Sequence, residues 1–263
     1  MPSFWIRQTE VLAGGKRFHS DELEIDFSVP FENNAEPDTA IVTIYNLSEN
    51  SINAIKKEQF VIINAGYRRD VGNIFKGTLQ KTVTSWQGAN KITEFTVGDG
   101  SQQWLRTYVS AAYAEGIQAS AILSDLCGRM GLEIARLDLA RDLTYPKGRV
   151  IDCMCKDAIK QISAECGSEF IISKERIYIT PPRAGTATGF LLKAGTGLIG
   201  SPEVFEKEED GVIKKGFKIQ MLLNHRITIN SIFQVESKTA NGTYRVLKGR
   251  HTGNFITEVE AVE

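Results

Sequence analysis

Alternation of apolar and polar residues dominates the first hundred positions. In Glu22–Val29 the apolar residues Leu23, Ile25, Phe27 and Val29 alternate with polar ones, the period-two pattern of a strand with one face on a core. Pro30 is expected to end this strand. Asp38–Leu47 and Phe60–Ala65 are further β-branched runs. Between them, Ser48–Lys57 offers capping residues first and lysines last, the charge order that suits a short helix. Ile74–Val83 and Asn90–Val97 then form a closing hairpin. Several short strands, a lid helix and a hairpin predict a small barrel or sandwich over residues 1–100.

The period then changes to about 3.6. Ala119, Ile122, Leu123, Leu126, Cys127 and Met130 share one stripe, and Gly131 follows as a stop; Cys155, Ala158, Ile159, Ile162 and Cys166 share another, followed by Gly167. Glu169–Ser173 and Arg176–Thr180 read as a strand pair, completing a helix-and-hairpin unit over 101–185. Residues 184–189 read as a connector. From Phe190 onward β character returns, in Phe217–Leu223, Arg226–Glu236, Gly242–Lys248 and a last strand at Asn254–Ala261, so 186–263 reads as the second β module. The charged stretch Glu206–Gly216 is expected to be a long exposed hairpin loop, or a contact loop that orders on a partner. The fold class is therefore α+β, mainly β: two small β-barrel modules separated by a helix plus β-hairpin domain. Both β modules close on the same letters, Ile92-Thr-Glu94 and Ile256-Thr-Glu258. About one such coincidence is expected by chance in a chain of this length, so the match draws its weight from its placement. Equivalent hairpins at 74–97 and 242–262 are the expectation.

Composition narrows the function classes. The chain has 263 residues with a net charge of -1, so no global basic field points to nucleic acid. No apolar run reaches the roughly 20 residues needed to span a bilayer, and the start lacks a signal-peptide pattern, so a cytosolic protein is expected. Cys127, Cys153, Cys155 and Cys166 lie in the middle third, three of them on apparent helix faces, and are expected to be free thiols.

Candidate chemistry is sparse. Gly195-Thr-Gly197-Leu-Ile-Gly200 spells a dinucleotide fingerprint, but Ser201-Pro202 follows where a helix must open, so it reads as a glycine-rich turn. His19, His225 and His251 have no metal-ligand spacing, and Cys153-Met-Cys155 lacks the two-residue gap of a zinc or redox pair. No catalytic residue, metal or cofactor is expected. The aromatics Phe4, Trp5, Trp86, Trp104 and Tyr108 flank the first module; Trp104 and Tyr108, beside Leu105, suit helical packing. Phe4, Trp5 and Trp86, together with Glu208, Glu209 and Lys214 of the charged stretch, are the candidate interface residues.

In this order of modules the sequence resembles the baseplate hub proteins of phage tails and phage-derived contractile particles, over nearly its whole length. The resemblance is carried by Thr39–Ser48 and the following helix, by Ile62–Tyr67 and by Ile74–Gly77. In the middle it rests on Leu123–Gly131 and Ala158–Ile179, and at the end on Gly197–Glu203, Leu222–Ile229, Gly242–Val246 and His251–Gly253. It implies a homotrimer whose six alike barrels form a ring, meeting a six-fold tail tube or distal tail protein on one side and a three-fold central spike or tail fibre on the other. Doubling a module in a trimer raises the apparent symmetry from three to six. The resemblance further implies a virion tail or tail-like particle assembled in the bacterial cytoplasm. Its lumen would admit a tape-measure protein, or DNA only as passing cargo, and no membrane is involved. Lytic or peptidase extensions of such hubs follow the last barrel, whereas this sequence stops at Glu263, so no enzyme is expected. Two competing readings are a carbohydrate- or receptor-binding module of the same particles, using Trp86, and an enzyme with Asp152 or Glu165 as acid or base.

Overall fold

A computed structural model describes residues 4–32, 38–98, 106–182, 184–209 and 212–263, with the backbone alone at 207–209 and 212–214. It divides into two compact units. Of the described residues, one unit gathers 4–32, 38–98, 185–209 and 212–263; the other holds the middle of the chain, 106–182 and 184.

Among the described residues, the regular structure of the first unit is strand apart from one short helix and a 3-10 turn. Its N-terminal part comprises β1 (Arg7–Ala13), β2 (Lys16–His19), β3 (Ile25–Glu32), β4 (Thr39–Tyr45), β5 (Phe60–Tyr67), β6 (Asp70–Gln87) and β7 (Asn90–Gly98), with α1 (Glu49–Ala54) between β4 and β5. Its C-terminal part comprises β15 (Thr186–Leu192), β16 (Leu198–Glu209), β17 (Val212–Leu222), β18 (Ser231–Glu236), β19 (Asn241–Thr252) and β20 (Ile256–Val262). The Ser48 hydroxyl caps α1 by accepting from the Ser51 amide at 3.2 Å. The helix ends at Ala54, so Lys56 and Lys57 fall beyond it.

The strands pair in the order β3-β4-β7-β6-β5 in the first part and β16-β17-β20-β19-β18 in the second. This is one pattern used twice. β6 carries a bulge between Leu79 and Lys81, opposite Val97 and Thr96, which lie five and four residues after Ile92. β19 carries one between Val246 and Lys248, opposite Ala261 and Glu260, again five and four residues after Ile256. Burial repeats as well: Thr93, Phe95 and Val97 are buried, as are Thr257, Val259 and Ala261, while Glu94 and Glu258 face outward. The closing hairpins are therefore equivalent in order, register and bulge, and their last strands in burial; beyond the bulge Thr84 is exposed where its equivalent His251 is buried. The copies differ at their outer strands, since β1 joins β5 antiparallel whereas β15 joins β18 parallel.

Each copy encloses its own core. The first is built on Val11, Phe27, Val42, Ile44, Ile63, Leu79 and Phe95, and takes Leu223 and Phe255 from the second copy; the other is built on Ile219, Met221, Phe233, Tyr244, Val246 and Val259 and takes in Phe31. The fold class is as expected, α+β and mainly β. Pairing among the described residues does not close either copy into a barrel: the strand path runs open from β16 to β2.

Four local expectations are corrected. Pro30 lies inside β3, whose pairing with β4 runs only over Ile25–Ser28, so the missing amide of Pro30 interrupts no pairing with β4. Residues 186–189 of the expected connector begin β15, held by its pairing to Ser231 and Ile232. The expected charged loop is instead the end of a hairpin paired out to Glu209 and Val212, with Glu206 opposite Lys215 and their ion pair at 3.0 Å. Residues 226–230 form turns, with Asn230 at φ +58, and β18 starts only at Ser231.

The middle unit packs two helices on small sheets. Helices α2 (Ala119–Met130) and α3 (Cys155–Glu165) bury the two predicted stripes together with Phe170, Ile172, Ile177 and Ile179. Gly131 ends α2 in the left-handed region at φ +67. α2 has no side-chain cap of its own; Asp142 substitutes, accepting from the Ser120 amide at 3.0 Å and its hydroxyl at 2.6 Å. The predicted hairpin is β13 (Glu169–Ser173) with β14 (Arg176–Thr180), turning through Lys174 and Glu175 at positive φ; β10 (Glu133–Leu137) adds parallel to β14. Tyr108 opens a strand, β8 (Tyr108–Tyr113), paired with β12 (Arg149–Met154), and is exposed, so its helical setting is not observed; Trp104 and Leu105 lie outside the described residues. No helix among the described residues is long and apolar enough to cross a membrane.

Candidate assembly surface

Two strands change partners midway, and this shapes the surface. β3 pairs with β4 over Ile25–Ser28, then with β19 over Ser28–Glu32. β19 pairs with β18 over Asn241–Arg245, and beyond its bulge Lys248–Thr252 turns to β3. That exchange joins the two copies into one sheet path. The bulge supplies the bend, since an extra residue on one strand sharpens its local twist.

The equivalent segments at the other junction are left open. β6 pairs with β5 only over Asp70–Thr78, so beyond its bulge Lys81–Gln87 pairs on one side with β7 and, among the described residues, with no strand on the other. Among the described residues β16 pairs only with β17. Both free segments carry exposed apolar side chains: Val83 is 40% exposed, Trp86 70% and Val204 67%. An unpaired edge with apolar residues is a template for another strand.

Beside the β3–β19 junction lies a groove of about 510 Å³ whose lining is strongly charged, including Glu32, Glu203, Lys218, Lys248, Arg250 and Glu258. Acidic and basic side chains alternate in it: Lys248 reaches Glu260 at 3.2 Å, while the neutral Gln220 amide donates to Glu258 at 2.9 Å. The arrangement suits a solvated wall with little net field.

A second contact between the copies is a clamp on the β5–β6 turn. Arg226 donates to both Asp70 carboxylate oxygens at 2.6 Å, and His225 Nε2 lies 2.9 Å from Oδ1. The hydrogen bonds from Arg226 are the main reason the Asp70 carboxyl is held down to about 2 from an ordinary 3.8, against a smaller opposing effect of burial. Gly72 makes room for it, because a Cβ there would lie 2.1 Å from His225 Nδ1. His251 is buried on β19, its ring nitrogens 2.8 Å from Thr257 Oγ1 and 3.1 Å from the Ile227 carbonyl.

The predicted interface residues separate by environment. Phe4 is half-buried, packing edge-on to Tyr67 with ring centroids 5.3 Å apart, whereas Trp5 is 79% exposed. Trp86 stands near the β6–β7 tip with Lys91 Nζ 5.8 Å from its ring centre. Glu208, Glu209 and Lys214 occupy strand positions at the β16–β17 tip, and their side chains lie outside the described ones. The open edges themselves were not predicted; their one signal was the Ile-Thr-Glu repeat, which marks the equivalent hairpins.

Chemistry is limited by what already occupies the polar groups. Glu165 accepts from Tyr145 at 2.6 Å, Arg149 at 2.7 Å and Gln161 at 3.0 Å, and these donors outweigh a leading upward push from burial to lower its pKa. A carboxylate so occupied is a poor proton shuttle. The four thiols are unbridged, and burial pushes Cys127 up to about 12 and Cys155 up to about 11. Among the described residues no group of His, Cys, Asp and Glu is arranged to hold a metal ion. Gly195–Gly200 passes from a 3-10 turn directly into β16, without the helix a pyrophosphate site requires.

The molecule is thus a tandem β scaffold, one five-strand pattern used twice in a single unit, with an α+β unit inserted between the copies. That scaffold is the fold of tail proteins. It matches the 43 kDa tail protein of prophage MuSo2 from Shewanella oneidensis with a TM-score of 0.69 at 9% identity, over 98% of each chain. It matches a tail protein from Neisseria meningitidis equally, at 0.69 and 8% identity, over 98% of this chain and 97% of that one. A third match is an E. coli component of the type VI secretion system, itself structurally similar to bacteriophage T4 tail proteins, at 0.63 and 10% identity over 91% of this chain and 73% of that one. No protein-family model and no curated protein sequence matches the chain.

Proposed function

We propose that the chain is a structural baseplate hub of a phage tail or tail-like particle, a homotrimeric ring that adapts the six-fold tail tube to a three-fold spike or fibre. The observation that carries this reading is the duplicated β pattern, down to the bulge positions, within a fold shared with tail proteins along their full length. Three copies of a duplicated module present six alike surfaces to a six-fold partner while keeping three-fold symmetry for the other. In this reading residues 1–100 and 186–263 are the ring modules and 101–185 is an inserted domain. The partners are further copies of the chain, the tail tube or distal tail protein, the central spike or fibre and the tape-measure protein. DNA would pass as cargo along matched or acidic walls to which phosphates do not stick. The role is structural, with no catalytic step.

Sedimentation or light scattering tests the reading. Three copies of the 29.2 kDa chain give a particle of about 88 kDa, alone or on adding a tube or spike partner. A stable monomer that binds neither partner overturns it. A second reading, a carbohydrate-binding module, is favoured only by exposed Trp86. Glycan-array binding lost in Trp86→Ala would support it, and a blank array would count against it.

A further inference from the structure

The strand pairing carries a more specific statement, which rests on the trimeric reading above and names the surfaces that build the ring. Inside the chain, β19 of the second copy pairs with β3 of the first, Lys248–Thr252 against Ser28–Glu32. The equivalents of these two strands are β6 of the first copy and β16 of the second, and both have an open edge among the described residues. We propose that β6 of one protomer pairs antiparallel with β16 of the next, repeating between chains the contact made once within each chain.

The register follows from the equivalence. Bulge against bulge, Lys81 corresponds to Lys248, so Val83 corresponds to Arg250 and Ser85 to Thr252. Thr96 corresponds to Glu260, so their partners Ile41 and Lys218 correspond, and through those Ser28 corresponds to Glu203. Pro30 then corresponds to Phe205. The intrachain pairs Arg250–Pro30 and Thr252–Ser28 become Val83–Phe205 and Ser85–Glu203 between chains.

The side chains fit this pairing. Val83 is 40% exposed in the monomer and would meet Phe205, a half-buried aromatic ring, in an aromatic–β-branched pair of the kind that stabilises antiparallel sheets. On the opposite face Val204, 67% exposed, would be covered by Thr84. The favourable section runs from Thr82 to Ser85, since the next position sets Lys81 opposite Lys207. A second copy is the occupant because the chain already contains the template for the contact, and because head-to-tail repetition of one contact closes a ring when the rotation permits.

Disulfide trapping tests the proposal. The double variant Val83→Cys with Phe205→Cys is oxidised and run on a non-reducing gel, with its mass measured in reducing buffer. Wild type, with half-buried Cys153, sets the background, and Val83→Cys with Val204→Cys is the control whose thiols face opposite sides of the ladder. The expected result is a covalent trimer in the first variant, at least tenfold over both controls. A trimer by mass with no cross-link above the controls overturns the edge pairing and leaves the hub reading standing. A monomer by mass at every concentration, alone and with tube or spike partner, overturns both.

Discussion

Replacing Asp70 by Asn removes one charge from the Arg226–His225 clamp while leaving the shape of the turn. Lowering the carboxyl from 3.8 to about 2 is worth about 2.4 kcal/mol, at roughly 1.36 kcal/mol for each tenfold in proton affinity. The Asp70 side chain is 44% exposed, so solvent screening reduces the usable figure to about 1 kcal/mol. A depressed carboxyl pKa contributes stability that is complete above its unfolded value and lost as pH falls through its folded value. The window is therefore pH 4 down to pH 2. Urea unfolding of wild type and Asp70→Asn, followed by the β signal in circular dichroism, should show the variant about 1 kcal/mol weaker at pH 7. The gap should narrow below pH 4 as protons neutralise Asp70 in the wild type. A gap absent at pH 7, or one that stays constant down to pH 2.5, refutes the assignment of the clamp as a charge-assisted contact.

Other perturbations separate the parts of the molecule. Leu123→Ala should destabilise the middle unit by about 2–5 kcal/mol through the cavity it leaves, while the mass by light scattering, set in the proposed reading by the β unit, stays that of wild type. His251→Phe should cost about 1–3 kcal/mol, read from the urea midpoint, because it leaves Thr257 and the Ile227 carbonyl without the ring nitrogens that now face them. With a thiol reagent at pH 8, Cys153 should react first in the folded protein and Cys127, Cys155 and Cys166 only on unfolding.

Local periodicity made most of the elements legible. Both helices of the middle unit follow their apolar stripes, and Gly131 and Gly167 mark their ends as the left-handed conformation demands. What was misread depends on partners remote in sequence. The first half of β15, Thr186–Gly189, is made of Gly, Thr and Ala and has no local strand signal; it is strand because β18, over forty residues away, pairs with it. Pro30 reads as a terminator because a sequence does not reveal that β3 has changed neighbour by that point. The charged hairpin arm looked like a loop because its stabilising opposite-charge pairs lie across two strands. Of the candidate assembly surface, Trp5 and Trp86 were legible as exposed aromatics, whereas an open backbone edge carries no side-chain signature.

The β3–β19 exchange also sets an order of events for the growing chain. Glu32 and Lys248 are neighbours separated by 216 positions, 248 less 32, so the C-terminal half of β3 leaves the ribosome long before its partner exists. During synthesis of the intervening domain that edge must remain single, and on a polysome the β19 of a neighbouring nascent chain is an equally good match. Capture of the neighbour's strand would give an interlocked pair using native contacts, the domain-swapping hazard of a chain whose paired strands are made far apart in time. A chaperone that shields residues 28–32 until β19 is free to pair would then raise the yield of correctly folded chains without changing their final stability.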